Sequence, residues 1–162
     1  MTDAMAKDVK RQCLDAGLRL LKGRAHSTAE LRRKLRKRFD VETINEALTK
    51  LTSVGYLNDE HFAKMKATSS VRNKQHGRRR AKLELMKAGV DHETADRALS
   101  SVYDTADTLA VARQFAQKQS KRLMKLEPKV ARRRLIGALQ RRGFDYDDIK
   151  PVVEETLGPE ID

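Results

Sequence analysis

Tryptophan is absent from these 162 residues, and aromatic side chains make up only 4% of them. A large core of packed rings is therefore excluded. The apolar material suits a helical array in which each element buries a narrow stripe. The one cysteine, Cys13, excludes an internal disulfide. It lies among apolar residues and is expected to be a buried small hydrophobe. No apolar run approaches the length that spans a bilayer, and the opening MTDAMAKDVK has no apolar signal core. We expect a cytoplasmic protein without membrane contact.

The chemistry of common enzymes is also missing. No Gly-rich loop ends in Lys-Ser/Thr, so no nucleotide-phosphate cradle of that kind is expected. His26, His61, His76 and His92 are scattered, far from a second metal-ligating partner such as Cys13, and make no zinc spacing. Ser27 beside His26 reads as a helix cap rather than a nucleophile. Asp59-Glu60 and Asp147-Asp148 fall at expected helix starts, where the dipole favours negative charge. No set of residues fills the roles of nucleophile, base and oxyanion donor. We expect no catalysis, no metal and no cofactor.

Positive charge, by contrast, is abundant. Lys and Arg total 35 against 23 Asp and Glu, a formal charge of +12. Such a balance suits a polyanion or an acidic protein, or else a well-solvated surface. The charge clusters in GRRRAKLELMKAGVD (77–91) and ARRRLIGALQRRGFD (131–145), which share their spacings. TAELRRKLRKRFD (28–40) is a third copy, one residue shorter and without the glycine. The segments that continue the three copies match as well: DVETINEAL (40–48), DHETADRAL (91–99) and DYDDIKPVV (145–153). The period is about 50 residues.

Each copy reads as helices. Leu31/Leu35, Ala81/Leu85 and Leu135/Leu139 stand four apart on one face, and the leucines are expected core residues. Gly89 and Gly143 sit where a left-handed residue ends a helix. Asp40, Asp91 and Asp145 then cap the next one. Ser27-Thr-Ala-Glu30 is a capping box, and Glu127-Pro128 opens a helix with proline in its first turn. A longer helix precedes each pair, marked by Leu14, Leu18 and Leu21, then Phe62 and Ala63 after an Asn58 or Asp59 cap, then Leu109, Ala112, Phe115 and Ala116. Pro151 would kink a helix begun at Asp145, so a start near Asp147 or Asp148 is expected. The tail GPEID is expected to fray. The fold is expected to be all-α: three tandem three-helix repeats, 1–57, 58–105 and 106–162, stacked because one such unit buries too little area alone.

Within each repeat the charge gathers on the middle helix. Arg32, Arg33, Arg36 and Lys37 lie off the apolar stripe of the first, Arg79 and Lys82 off the second, and Arg132, Arg133 and Arg141 off the third. Repeats stacked in register would align these into one basic stripe. Phe62, Tyr56 and Tyr103 are expected to pack rather than stack on bases. Nucleic-acid contact should then go to phosphates and be weak, sequence-independent and salt-sensitive.

Several stretches resemble the bacterial RecX regulators of the RecA recombinase. GYLNDEHFA (55–63) is similar to that family's GYLDDERFA, and HSTAELRRKL (26–35) to its HS-x-x-ELRRKL. Residues 77–91 resemble its GPRRIRQELRQKGI block, and RRGFDYDDI (141–149) its closing RRGF-[SD]-Y-x-x-I. Together they span about residues 12–157, in order. Where the family has K-G-Y-G-P, this chain has Lys74-Gln75-His76-Gly77-Arg78, and the block's isoleucine is Ala81.

The resemblance implies an elongated, curved array that binds RecA and the RecA–single-stranded DNA filament along its groove. It further implies inhibition of RecA's ATPase, filament extension, strand exchange and co-protease activity. Under it, Arg32, Arg33, Arg72, Lys74, Arg79 and Lys82 are the expected contacts to DNA phosphate or acidic RecA surface. The protein is expected to be a monomer. Two other readings stay open: a generic basic helical nucleic-acid binder, and a helical adaptor for an acidic protein.

Overall fold

The computed structural model describes residues 2–159. Among these residues there are nine α-helices and no strand. They are α1 (Asp3–Gly23), α2 (Thr28–Leu35), α3 (Val41–Ser53), α4 (Asp59–Arg72), α5 (Arg78–Lys87), α6 (His92–Tyr103), α7 (Thr108–Leu123), α8 (Pro128–Arg141) and α9 (Tyr146–Leu157). The order long, basic, short recurs three times, so the fold is an all-α helical repeat.

Most boundaries are local chemistry. Ser27 Oγ accepts from the Glu30 N–H at 3.0 Å and starts α2. Asp40 Oδ1 accepts from Thr43 N–H, and Asp91 Oδ1 from Thr94 N–H, both at 2.9 Å. Asn58, not Asp59, caps α4 through the His61 N–H at 3.0 Å. The Glu127 carboxylate accepts from the N–H groups of Lys129 and Val130, both at 3.1 Å, while Pro128 fills the first turn of α8.

Two helices depart from expectation. In α1 the fully buried line is Cys13 and Gly17, with Leu14, Leu18 and Leu21 half-buried beside it. A Cβ on Gly17 would come within 2.9 Å of Leu51 Cδ1, so the glycine sets how closely α1 approaches α3. In α9 the helix starts at Tyr146, which places Pro151 in its interior rather than its first turn. The bond lost is the one to the carbonyl of Asp147, an exposed residue whose oxygen water can satisfy. Gly158 and Pro159 come after α9; the rest of the tail expected to fray, residues 160–162, lies outside the described residues.

The chain divides into two compact units. One comprises Met1–Ala63 with Met86–Ala95, the other Lys64–Leu85 with Asp96–Asp162. The first holds a core of Cys13, Leu31, Leu35, Ile44, Leu48, Leu51 and Leu57. The second holds one built from Phe115, Leu123, Leu135, Leu139, Phe144, Ile149, Val152 and Val153. Leu85 is also fully buried.

Within each unit, repeat meets repeat through the same parts. The turn after a middle helix seats on the N-terminus of the preceding repeat's middle helix. In the first unit, Ser27 Oγ donates to the Ala88 carbonyl, and a Cβ on Gly89 would lie 2.4 Å from Ala29 Cβ. In the second, Gly77 N–H donates to the Arg142 carbonyl at 2.8 Å. A Cβ on Gly143 would lie 2.2 Å from Arg80 N, and one on Gly77 2.2 Å from the Gly143 oxygen. Gly89 and Gly143 are thus required twice over, by φ values of 74° and 84° and by close approach. The corresponding turn of the first copy, residues 36–39, has no glycine, and among the described residues no repeat precedes it.

Candidate functional site

The amphipathic pattern of α2 turns Leu31 and Leu35 inward and leaves arginines outside. Arg32, Arg33 and Arg36 line an open groove of about 470 Å³ in the first unit, with Asp59 and Asp91 among its other walls. Arg33 and Arg36 are exposed; Arg32 is half-buried and donates to Asn45 Oδ1. Asp59 is already committed. Its Oδ1 accepts from the Thr28 backbone N–H at 2.7 Å and from the Thr28 hydroxyl at 3.1 Å, adding a second cap to α2 from a distant helix.

The other four expected contact residues lie in the second unit. Arg72 is exposed in the last turn of α4. The remaining three are paired with carboxylates of the same unit. Lys74 Nζ is 3.0 Å from Glu84 Oε2, Arg79 Nε 2.8 Å from Asp145 Oδ1, and Lys82 Nζ 2.8 Å from Asp96 Oδ1. The Arg79 and Lys82 pairs are exposed on both sides and contribute about 0–1 kcal/mol each, so an incoming anion can displace the internal one, whereas the Glu84 side chain is only 16% exposed. Sequence reasoning missed these acids. Arg80–Glu84, an i,i+4 pair at 3.8 Å, has a spacing that sequence could reveal.

The 73–77 segment is clasped from several sides. Gln75 adopts φ 54°, the left-handed region, at the position where the family signature carries glycine. Lys118 donates to its side-chain oxygen at 3.0 Å, and its amide donates to Gln114 at 3.2 Å. Tyr103 donates its hydroxyl to the His76 carbonyl at 2.9 Å. Burial pushes the Tyr103 phenol far up, so it stays a donor. The Arg142 guanidinium lies 4.4 Å from the Phe115 ring centroid and donates to the Lys74 carbonyl.

Two histidines and one acid in these segments are shifted. Burial holds His26 below its ordinary value; its Nδ1 lies 2.9 Å from the Arg24 carbonyl. Burial lowers His76 as well, assisted by Arg142, Lys74 and Arg80 and opposed by Glu84. His76 Nδ1 is 3.4 Å from Glu84 Oε1 without hydrogen-bond alignment. Burial alone would raise Glu84, but the hydrogen bond and charge of Lys74, with Ser70 and His76, bring it below the usual carboxylate range.

The aromatic expectation needs correction. Phe62 and Tyr103 are buried, but Tyr56 is 64% exposed. In GYLNDEHFA it is Leu57 that fills the core after the Gly55 turn, leaving the tyrosine outside. Tyr146, at the start of α9, is 62% exposed. Each unit therefore offers an accessible tyrosine ring. Among the described residues no three His, Cys, Asp or Glu side chains converge as metal ligands would, and no helix is long and apolar enough to cross a membrane.

Comparison with known proteins matches three family models in chain order. They are the first three-helix domain of RecX at residues 13–51, the second at 58–99 and the third at 106–153. The regulatory protein RecX of Chlorobaculum tepidum is 36% identical over 157 residues, covering 96% of this chain and 95% of that protein. Its namesake in Trichlorobacter lovleyi is 35% identical, covering 88% and 94%. The crystal structure of RecX from Lactobacillus salivarius superposes with a TM-score of 0.79 over 93% of this chain and 97% of that one. At 24% identity, that likeness speaks for the fold. The relatives are regulatory proteins by name, and a regulatory role is what kinship with them supports. With all three of its three-helix domains matched and relatives similar along nearly their whole length, the chain belongs to the RecX family.

Proposed function

We propose that this RecX-family protein binds RecA and the RecA–single-stranded DNA filament and inhibits its ATP hydrolysis, extension, strand exchange and co-protease activity. The contacts are Arg32 and Arg33 in the first unit and Arg72, Lys74, Arg79 and Lys82 in the second. They reach DNA phosphate or acidic protein surface. The observation that carries this reading is that, among the described residues, these six cations are unpaired or held only by polar partners within their own unit, on a chain whose three domains all match RecX. The protein acts in the cytoplasm as a monomer, and the repeats 1–57, 58–105 and 106–162 are its working parts.

The test is DNA-dependent ATP hydrolysis by RecA, titrated with this protein at physiological salt. Inhibition at ratios far below one per RecA supports action on the filament. Inhibition only when the protein can coat the DNA instead supports a generic nucleic-acid binder. The exposed Tyr56 and Tyr146 favour that second reading more than the sequence did, because an accessible ring can stack on an unpaired base.

A further inference from the structure

Three aspartates occupy the same place in the three repeats, just before the third helix, yet they do different work. Asp40 and Asp91 each accept a backbone N–H three residues on. Asp145 makes no side-chain cap, and the Asp148 N–H bonds to the Asp145 carbonyl instead, at 3.0 Å. The Asp145 carboxylate turns away to Arg79 Nε, 2.8 Å off. Its own helix gives a reason. The first turn of α9 already carries Asp147 and Asp148, so a third negative charge at the cap is crowded. Arg79 is 75% exposed and Asp145 54%, so the pair is open to solvent and to competitors.

We propose that Asp145 is an internal competitor for the phosphate that Arg79 binds, so that the pair is a gate on nucleic-acid contact by this surface. The proposal rests on the reading of Arg79 as a phosphate contact. A phosphodiester is the ligand chemistry the surroundings favour. Arg78 and Arg80 flank Arg79 in the chain, each with an acid of its own in Asp104 and Glu84, Arg141 is exposed before the turn that carries Asp145, and Tyr146, the residue after Asp145, is 62% exposed. When phosphate takes Arg79, the released carboxylate, already 54% exposed, is left to water. The exchange therefore leaves no group stranded. Asp145 tunes how tightly and at what salt the surface engages, without itself touching the ligand.

The experiment is a four-protein cycle: wild type, Asp145→Asn, Arg79→Gln and the double variant. Each is titrated against fluorescein-labelled oligo-dT at low salt. Asparagine caps helices as well as aspartate does, so the fold is preserved, and helicity by circular dichroism checks this. Asp145→Asn is expected to tighten binding about five-fold, the size of an exposed pair's competition. Arg79→Gln is expected to weaken binding, and Asp145→Asn to give no gain in that background. Equal gains with and without Arg79 would overturn the gate, since they reflect only the added net charge; Arg79 would remain a contact. No loss on Arg79→Gln would remove both the gate and the reading beneath it. Tightening toward poly-glutamate but not oligo-dT would also overturn the proposal, in favour of an acidic protein partner.

Discussion

Glycine shows how one residue type can be needed for different reasons. Gly55 and Gly143 both have φ near 80°, but a Cβ on Gly55 meets open space while one on Gly143 meets the Arg80 backbone. Gly55→Ala should cost about 1–2 kcal/mol, the left-handed penalty alone. Gly143→Ala should cost about 3 kcal/mol or more, because it also pushes the turn off α5. Denaturant midpoints measure both, and equal losses would mean that the repeat contact relaxes freely. The buried His26 and the half-buried His76 set a pH dependence. His26 and His76 are held below their ordinary value, so on acidification the unfolded chain takes up protons first. Stability should fall as pH drops through about 6.5, the ordinary histidine value, and a melting series from pH 8 to 5 should show it. His76→Gln should flatten part of that slope. Glu84, also held below its ordinary value, acts in the same direction but in a lower window: its contribution is present above the ordinary carboxylate range and is lost as pH falls through its lowered native value.

At the level of elements, the sequence is legible wherever a boundary is made by neighbours in the chain. Ser27, Asp40, Asp91, Glu127-Pro128, Gly89 and Gly143 each set a helix boundary within a few residues of themselves, whatever distant contacts some of them add, and each sits where its type predicts. Contacts made at a distance are not legible. Asp59 capping α2 and Asp145 drawn to Arg79 depend on packing that no local spacing encodes. Hence Asp40→Ala should lower stability by about 1 kcal/mol, the usual value of a lost cap. Asp145→Ala, which removes no cap, should cost under about 1 kcal/mol. A similar loss at both sites, read from thermal melts, would contradict the difference between them. Pro151 is hard to place because the sequence offers Asp145, Asp147 and Asp148 as alternative starts, and packing of Ile149, Val152 and Val153 selects the first. Pro151→Ala restores a donor to the helix interior and should stabilise the protein by about 1–2 kcal/mol, less than the full proline penalty because the unfolded chain gains freedom.

For the whole molecule, composition points to an anionic partner, while motifs in order point to the family; neither says how the charge is shared. The candidate contacts divide unequally, Arg32 and Arg33 in one compact unit and Arg72, Lys74, Arg79 and Lys82 in the other. Binding of a single strand releases counterions for each phosphate neutralised, and log K falls with log salt at about 0.7 per contact. If all six engage at once, the slope should be about −4. Replacing Arg32 and Arg33 by glutamine should flatten it by about 1.4, and replacing the other four by about 2.8. Additive changes would mean that both units lie on one strand together. If the four-residue variant keeps the full slope, the strand is held elsewhere, for which the exposed Arg133 and Arg134 of α8 are the next candidates. If either set alone removes the whole slope, the two units bind only as a pair, and the affinity of this protein for DNA is a property of the complete array rather than of any helix in it.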